Sequence, residues 1–275
     1  MTYGGSAAHA FEFEKFRVRG TDVAAVDVFR ASDFVGQLAT NARGAYVTVT
    51  GAHGIVESVR NEQVREAHQQ ASMVVPDGMP LVWMGRMLGF NSIGRVYGPD
   101  LMSCIFSRKE LRQLRHFFYG STPDVVSKLT AALISRFGEF NFVGAYSPPI
   151  RPLGFGEDES ILSRIRELKP HFVWVGLSTP KQELWLHMHM QKIGSGVGIG
   201  VGAAFDLLSG VTPQAPRWIQ RSGFEWLFRL AMEPRRLFKR YLFVVPQFLY
   251  LMVETLISQR SNRTANTITL KPPQQ

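Results

Sequence analysis

Polar and charged residues follow two apolar runs in separate parts of the chain. Residues 75–78 read Val-Pro-Asp-Gly, and residues 175–183 read Val-Gly-Leu-Ser-Thr-Pro-Lys-Gln-Glu. In an open parallel sheet, ligands bind in the crevice outside the carboxyl ends of the strands, where such junctions lie. One junction offers a carboxylate, and the other offers an ammonium, an amide and a second carboxylate. This combination indicates an enzyme site.

Asp77 has two interpretations from the sequence alone. An aspartate between Pro76 and Gly78 commonly forms a turn or caps the helix that follows. A carboxylate at the mouth of an apolar crevice can instead act as a general base. The local pattern by itself favours the capping role.

The second junction is equally ambiguous. Lys181, Gln182 and Glu183 follow Pro180 and so occupy the first turn of a predicted helix. Glu183 could simply complement the helix dipole. Free backbone N–H groups at this position also form an anion site, and Gln182 could contact a base or a sugar. The sequence leaves both interpretations open.

Five further candidates lie at predicted strand ends or turns. Thr48 and Thr50 could hold a sugar or a phosphate, although threonines in a strand usually serve strand formation. Arg95 and Asp100 fit a surface salt bridge, but the arginine fork also binds diphosphates. Asp206 follows a glycine-rich run and could cap a helix or bind a ligand.

Short apolar runs alternate with helical patterns from about residue 24 to residue 210. The predicted strands are 45–50, 73–75, 116–120, 140–144, 171–176 and 197–202. The predicted helices are 54–70, 79–89, 123–137, 157–168 and 180–192. This alternation predicts right-handed βαβ units and a mostly parallel sheet, which is the α/β class.

The chain divides into four predicted regions. Residues 1–40 form an N-terminal extension, and residues 41–210 form the α/β core. Residues 211–258 are helical, aromatic and basic, and we interpret them as an appendage. Residues 259–275 lack apolar periodicity, as do residues 1–10, so both ends are expected to be disordered.

The net charge of +9 suits nucleic acid, phosphorylated substrates or an anionic membrane. The cations between residues 215 and 240 are Arg217, Arg221, Arg229, Arg235, Arg236, Lys239 and Arg240. They alternate with aromatic residues, as in an amphipathic helix pair packed on the main domain or an interfacial helix on anionic lipid. The apolar run 242–257 favours membrane contact but is short for a spanning helix.

Metal and disulfide chemistry are not expected. Cys104 is the single cysteine, which excludes an intramolecular disulfide and a thiolate cluster and fits a reducing cytoplasm. His187 and His189 would point to different faces of a helix and so could not chelate together. We therefore expect no cofactor and no protein-held metal. The N-terminus does not have the pattern of a signal peptide.

Together these residues resemble the WecG/TagA/CpsF family of bacterial glycosyltransferases. The resemblance runs from about residue 46 to residue 241 and leaves residues 1–40 outside. It rests on motifs in the family's order, at residues 76–78, 95–100, 175–183, 200–206, 215–218 and 225–230.

The resemblance implies an inverting, metal-independent enzyme with a Rossmann-like core and a basic, amphipathic helical C-terminal appendage. It implies transfer from a UDP-sugar to a polyprenyl-diphosphate-linked saccharide, at the cytoplasmic membrane face, in cell-surface polysaccharide synthesis. Asp77 is then the expected base, and Thr48 and Arg95 are further expected catalytic residues. Motifs and resemblance together give the expected substrate-binding residues Thr50, Gly78, Asp100, Lys181, Gln182, Glu183, Asp206, Arg217, Arg229 and Arg235.

The sequence departs from the family pattern at Thr50, where many members carry asparagine, and at residues 79–80, Met-Pro. One rival function is a nucleotide-dependent oxidoreductase that uses the G-x-G-x-x-A match at residues 198–203, a poor match because it ends the α/β region. Another is a basic nucleic-acid-binding protein, which is weak because no nucleic-acid-binding fold is recognised. We expect no nucleic-acid partner, and a homo-oligomer remains open.

Overall fold

The structure is a computed structural model that describes residues 12–149 and 157–260. The strands are β1 Lys15–Val18, β2 Thr21–Ala24, β3 Arg43–Thr50, β4 Met73–Pro76, β5 His116–Gly120, β6 Phe142–Tyr146, β7 Phe172–Gly176 and β8 Gly196–Gly200. Of the ends expected to be disordered, residues 1–10 and 261–275 fall outside the described residues, whereas residues 259–260 end the last helix.

Helices connect these strands and extend beyond the last one. Those within the strand-containing part are α1 Val28–Asn41, α2 Ala52–Arg60, α3 Glu62–Gln70, α4 Met79–Met87, α5 Gly98–Ser107, α6 Lys109–Arg112, α7 Pro123–Phe137, α8 Glu157–Leu168 and α9 Lys181–Ile193. Those after β8 are α10 Ala204–Leu208, α11 Arg217–Ser222, α12 Glu225–Met232 and α13 Pro234–Arg260.

Six strands form one parallel sheet in the order β4-β3-β8-β7-β5-β6. The prediction of an α/β, Rossmann-like fold with a mostly parallel sheet is therefore confirmed. Each predicted strand corresponds to one strand of this sheet, because strands buried on both faces appear in the sequence as apolar runs. All six carboxyl ends lie along one edge of the sheet.

Several features of the fold differ from the prediction, including helices α1, α5 and α6, which were not predicted. The predicted helix 54–70 is two helices, because Asn61 leaves the helical conformation and its side chain caps α3 by accepting from the Gln63 N–H. An antiparallel hairpin, β1–β2, precedes the sheet and was not predicted. Its strands have four residues each, too short for the alternation of buried and exposed residues to be distinctive.

The region predicted as an N-terminal extension is part of the core. Phe34, Val35 and Leu38 of α1 are buried in the same cluster as Trp174 and Ile199 of the sheet. A boundary at residue 41 therefore does not separate two packing units.

Helices α11 to α13 form the basic appendage. One side of α13 is buried: Val244, Phe248 and Leu251 belong to a cluster with Phe16 and Val18 of the hairpin. Arg19 of the hairpin turn also pairs with Glu254 of α13, with Nε 2.7 Å from Oε2. The other side of α13 exposes Leu242, Phe243, Leu249, Tyr250, Val253 and Ile257.

The length expected for the apolar C-terminal segment needs correction. The run 242–257 continues a helix that begins at Pro234, and residues 234–258 are long and apolar enough to cross a membrane by length and composition. Charged residues interrupt the apolar pattern in the first two turns of this helix, so the sequence pattern gives a shorter apolar segment.

Candidate active site

A cleft of about 530 Å³ opens at the carboxyl ends of β3, β4, β7 and β8, beneath the appendage. Its sheet side is lined by residues that follow these strands, including Gly51, Asp77, Leu177 and Gly202. Its other wall comes from α12 and the start of α13. The two junctions singled out in the sequence therefore meet in one crevice.

Asp77 faces this cleft directly after β4. Its backbone N–H donates to the Thr50 carbonyl oxygen at 2.9 Å, which fixes the junction to the end of β3. The carboxylate does not cap α4, whose N-cap residue is Gly78 with φ +109° and no side-chain capping bond. The capping role favoured by the local pattern is thus not the role that the structure gives Asp77.

The surroundings of Asp77 favour its neutral form. Its Oδ1 is enclosed and has no hydrogen-bond partner among the described residues. Burial raises the pKa of Asp77 to about 6, while Arg95 and Arg229 lower it and Glu225 and Asp100 raise it. At neutral pH the group is mainly ionised and has a higher proton affinity than an exposed aspartate.

Arg95 is not in a surface salt bridge. Its Nη2 donates to Oε2 of Glu225, the first residue of α12, and both side chains are only 14% exposed. Its guanidinium carbon lies 3.9 Å from the centroid of the Tyr97 ring. Arg95 therefore joins the core to the appendage beside Asp77.

Gln182 and Glu183 form a buried network at the start of α9. The Gln182 Oε1 accepts from the Gly202 N–H at 2.9 Å, and its Nε2 donates to the Glu183 Oε1 at 3.1 Å. The Thr179 hydroxyl donates to the same Oε1 at 2.9 Å. This network ties the end of β7 to the end of β8, and Gln182 lines the cleft. Lys181, in contrast, is exposed and lies outside the cleft lining.

Burial raises the pKa of Glu183, although hydrogen bonds from its own backbone, Thr179 and Gln182 lower it. Its Oε2 is buried and has no hydrogen-bond partner within the described ranges.

The two threonines lie beneath the cleft and do not line it. Thr50 is buried, and its hydroxyl lies 3.1 Å from Nε2 of His68 in α3. Thr48 is fully buried, and its hydroxyl has no hydrogen-bond partner in the part of the chain that the structure describes. Val49, which points to the opposite face of β3, is the residue of this strand that lines the cleft.

Asp206 lines the far end of the cleft, where its Oδ1 accepts from the Ser121 hydroxyl at 3.2 Å. Asp100 lies in the first turn of α5, next to the cleft-lining residues Gly98 and Pro99. Asp100 itself is half-buried and acts on Asp77 through its charge.

Of the three predicted arginines, only Arg229 lines the cleft; Arg217 and Arg235 are exposed and lie outside its lining. Arg236 and Arg240 line it instead, because their spacing of four residues places them on one face of α13. This spacing was visible in the sequence, but nothing in the sequence indicated which face of the helix meets the cleft. Burial lowers the pKa of Arg240, and so do the charges of Arg236 and Arg229.

His53 is a further cleft residue that the sequence analysis did not select. It lies in the first turn of α2, with its Nε2 3.5 Å from Oε1 of Glu57. Burial and the charge of Arg240 lower the pKa of His53 to about 4, so the imidazole is neutral at pH 7. In the described part of the chain, no three His, Cys, Asp or Glu side chains are grouped as metal ligands.

The glycine-rich run 198–203 is explained by packing. A Cβ at residue 198 would lie 2.5 Å from Cδ2 of Leu186, and one at residue 200 would lie 3.1 Å from Cδ1 of the same side chain. These glycines therefore let α9 approach β8 closely, so packing accounts for this run without a dinucleotide fingerprint.

A parallel α/β sheet with a carboxylate and arginines at its carboxyl edge fits a transferase of anionic substrates. The profile described as "Glycosyl transferase WecG/TagA/CpsF family" matches residues 16–262, so the chain belongs to this family. The resemblance is confirmed, and the match extends beyond residues 46–241 at both ends. It includes most of the region 1–40 that the motifs had left outside.

Named relatives share about a quarter to a third of the aligned residues. The N-acetylglucosaminyldiphosphoundecaprenol N-acetyl-beta-D-mannosaminyltransferase of Bacillus subtilis (strain 168) is 26% identical over 194 residues, which is 70% of this chain and 73% of the relative. The enzyme of that name from Staphylococcus aureus (strain MW2) is 30% identical over 185 residues, which is 67% of this chain and 70% of the relative.

Proposed function

We propose that the protein transfers a sugar from a UDP-sugar to a polyprenyl-diphosphate-linked saccharide, with inversion at the anomeric carbon. The observation that carries this proposal is the pairing of two features in one cleft. Asp77 is an enclosed carboxylate with an unpartnered oxygen in the described structure, and it faces a wall that holds Arg229, Arg236 and Arg240.

The chemistry requires one base and a set of cations. Inversion in one step needs the acceptor hydroxyl to lose its proton as its oxygen attacks the anomeric carbon from the face opposite the leaving UDP. Asp77 takes this proton, since its pKa of about 6 leaves it ionised at neutral pH and still basic. Negative charge grows on the departing diphosphate, and guanidinium groups stabilise it without a metal ion.

Two arginines suit the leaving group better than the third. Arg229 and Arg240 have no carboxylate partner within the described ranges, whereas Arg236 pairs with Glu233 at 2.7 Å. Burial is the largest cause of the lowered pKa of Arg240, and repulsion by Arg236 and Arg229 adds to it; a bound diphosphate would relieve that repulsion. We assign Arg229 and Arg240 to the substrate phosphates. We assign Asp206, at the far end of the cleft, to sugar hydroxyls.

The acceptor assignment draws on the relatives and on α13. The relatives are named for an acceptor made of N-acetylglucosamine, a diphosphate and undecaprenol. The exposed apolar side of α13 adjoins the exposed cations Arg235 and Lys239, an arrangement suited to an anionic membrane surface. We therefore place the enzyme on the cytoplasmic membrane face as a peripheral protein, held through α13 while the opposite side of that helix stays packed on the hairpin.

The test is sugar transfer to a lipid-linked acceptor. The purified protein is mixed with N-acetylglucosaminyl-diphospho-lipid, EDTA and one of several UDP-sugars, including UDP-N-acetylmannosamine and UDP-N-acetylglucosamine. We expect acceptor-dependent UDP release with one donor, and a β-linked product from an α-linked donor by NMR. Absence of transfer with every donor, or retention of configuration, would contradict the proposal.

Asp124→Asn is the matched control for substitutions at Asp77. Asp124 lies in the first turn of α7 and forms an exposed ion pair with Lys128, outside the cleft lining. We expect this variant to transfer sugar at the parental rate.

A further inference from the structure

Among the described residues, two arginine–glutamate pairs tie the appendage to the rest of the protein, and one of them acts on Asp77. Arg19 and Glu254 pair at the far end of α13 and are largely exposed. Arg95 and Glu225 pair beneath α12, where each is only 14% exposed. The second pair therefore stays within the protein only while α12 lies against the core.

Arg95 interacts with the charges of two carboxylates, Asp77 and Glu225, and hydrogen-bonds the one from the appendage. Its Nη2 donates to Glu225, while its Nε and the Oδ1 of Asp77 are both buried and have no partner among the described residues. The ring of Tyr97 stacks on the Arg95 guanidinium. Burial raises the pKa of the Tyr97 hydroxyl, as do the charge of Glu225 and a hydrogen bond to that carboxylate. Arg95, the cation that lowers the pKa of Asp77 most, therefore gives its hydrogen bond to Glu225.

The charges around Asp77 come from three directions. The titratable and charged side chains that act on Asp77 or line the same cleft fall into three groups. The core contributes His53 of α2, Arg95, Tyr97 and Asp100; α12 contributes Glu225 and Arg229; and the residues that follow contribute Glu233, Arg236, Arg240 and Tyr241. Arg95 lowers the pKa of Asp77 and Glu225 raises it. His53 is neutral near pH 7. Docking of α12 therefore adds both a carboxylate and a cation to the surroundings of the base.

Building on the proposed function, we propose that Glu225 is a positioning residue that competes with Asp77 for Arg95, so that Asp77 is a strong proton acceptor only while α12 is docked. When α12 leaves the core, Arg95 is released to neutralise the Asp77 carboxylate. The base is then weakened in the form of the enzyme whose cleft is open to water.

The decisive measurement is the titration of Asp77 itself, which needs no substrate. Aspartate carboxyl carbons are labelled with ¹³C, and the resonance that disappears in Asp77→Asn is followed against pH. We expect Glu225→Gln to lower the titration midpoint of Asp77 by about one pH unit, the size of shift that one neighbouring charge commonly produces. Glu254→Gln, which breaks the other pair, should leave the midpoint unchanged. An unchanged midpoint in Glu225→Gln would overturn the proposal.

A double-mutant cycle separates an effect through Arg95 from a loosened appendage. If Glu225 acts through Arg95, the shift caused by Glu225→Gln should fall to less than about half in the Arg95→Gln background. An equal shift in both backgrounds would mean that Glu225 acts by excluding water or by its own charge, and would contradict the proposal. Glu225→Asp, which keeps the carboxylate, should recover most of the parental midpoint.

The kinetic counterpart distinguishes this proposal from the proposed function. With a working donor, the acidic limb of kcat/KM should shift downward in Glu225→Gln by the same amount as the NMR midpoint, and the plateau rate should fall. If no donor supports transfer but the NMR midpoint moves as expected, the proposed function fails and the coupling stands. If transfer occurs and the midpoint does not move, only the coupling fails.

Discussion

At the scale of the residue, Asp77 occupies an environment that opposes its charge. Burial is the largest cause of its raised pKa, and Arg95, the cation that lowers this pKa most, hydrogen-bonds Glu225. Such an arrangement favours reactivity at the expense of stability, as is common at catalytic positions. The same environment therefore affects the free energy of unfolding, which can be measured without a substrate.

Asp77→Asn is expected to be more stable than the parent at neutral pH. The folded pKa of Asp77 is raised from 3.8 to about 6, so its contribution to folding is present below pH 3.8 and is lost as the pH rises through 6. The full difference corresponds to about 3 kcal/mol. Urea unfolding should therefore show a gain for the variant at pH 7.5 that shrinks toward pH 4.5. An equal difference at both pH values would contradict the raised pKa.

The sequence identified Asp77, Arg95 and Gln182 but not their surroundings. The partner of Arg95 lies 130 positions away in the chain, and the partner of Gln182 is a backbone N–H 20 positions away. No local pattern records such contacts. For the same reason, local propensity favoured a capping role for Asp77, because its enclosure depends on α12, which lies far along the chain.

At the scale of the element, the parallel strands were predictable and the faces of the late helices were not. A strand buried on both sides is a short apolar run, which is visible in the sequence. Helix α13 carries apolar residues on two sides, one against the hairpin and one exposed, so its sequence does not show which side packs. For this reason the sequence predicted Arg235 as a substrate-binding residue, whereas Arg236 is the residue that lines the cleft.

Neighbouring residues of α13 should therefore respond differently to truncation. Phe248 is buried against the hairpin and Leu249 is half exposed. We expect Phe248→Ala to lower the free energy of unfolding by about 3 kcal/mol, and Leu249→Ala to change it by less than about 0.5 kcal/mol. Denaturant unfolding measures both values.

The proposed membrane role adds the opposite expectation for binding. Leu249→Ala should weaken sedimentation with anionic phosphatidylglycerol vesicles, and Ser258→Ala, at the end of the same helix, should not. Equal vesicle binding by Leu249→Ala and the parent would count against the exposed side of α13 as the docking surface. Removal of α13 as a whole is a poorer test, because it uncovers Phe16 and Val18 of the hairpin.

At the scale of the whole molecule, acid should destabilise the fold through buried histidines. Burial lowers the pKa of His68 to about 4 and that of His116 to about 3. His68 pairs with Thr50, and His116 accepts from Trp174 Nε1 at 3.0 Å in the centre of the core. Both rings are neutral at pH 7, and a proton binds to them less tightly in the folded protein than in the unfolded chain.

Each lowered histidine pKa makes stability fall as the pH drops below 6.5, because the unfolded chain then binds the proton more tightly. Between pH 6.5 and pH 5 the expected loss is about 1.5 kcal/mol per histidine. His68→Asn keeps a hydrogen-bonding group near Thr50 and removes the titration, so its stability should depend less steeply on pH. Parallel pH profiles of unfolding free energy for parent and variant would show that His68 does not titrate in this way.

The pH dependence of sugar transfer tests the central claim most directly. With the donor found to be active and a lipid-linked N-acetylglucosamine acceptor, kcat/KM is measured from pH 5 to pH 8 for the parent, Asp77→Asn and Asp124→Asn. We predict a parental profile that rises with a midpoint near pH 6, a loss of at least about 100-fold in Asp77→Asn with no such midpoint, and a parental profile in Asp124→Asn. Parental rates in Asp77→Asn would show that another group accepts the proton and that the cleft performs a different reaction or uses a different base.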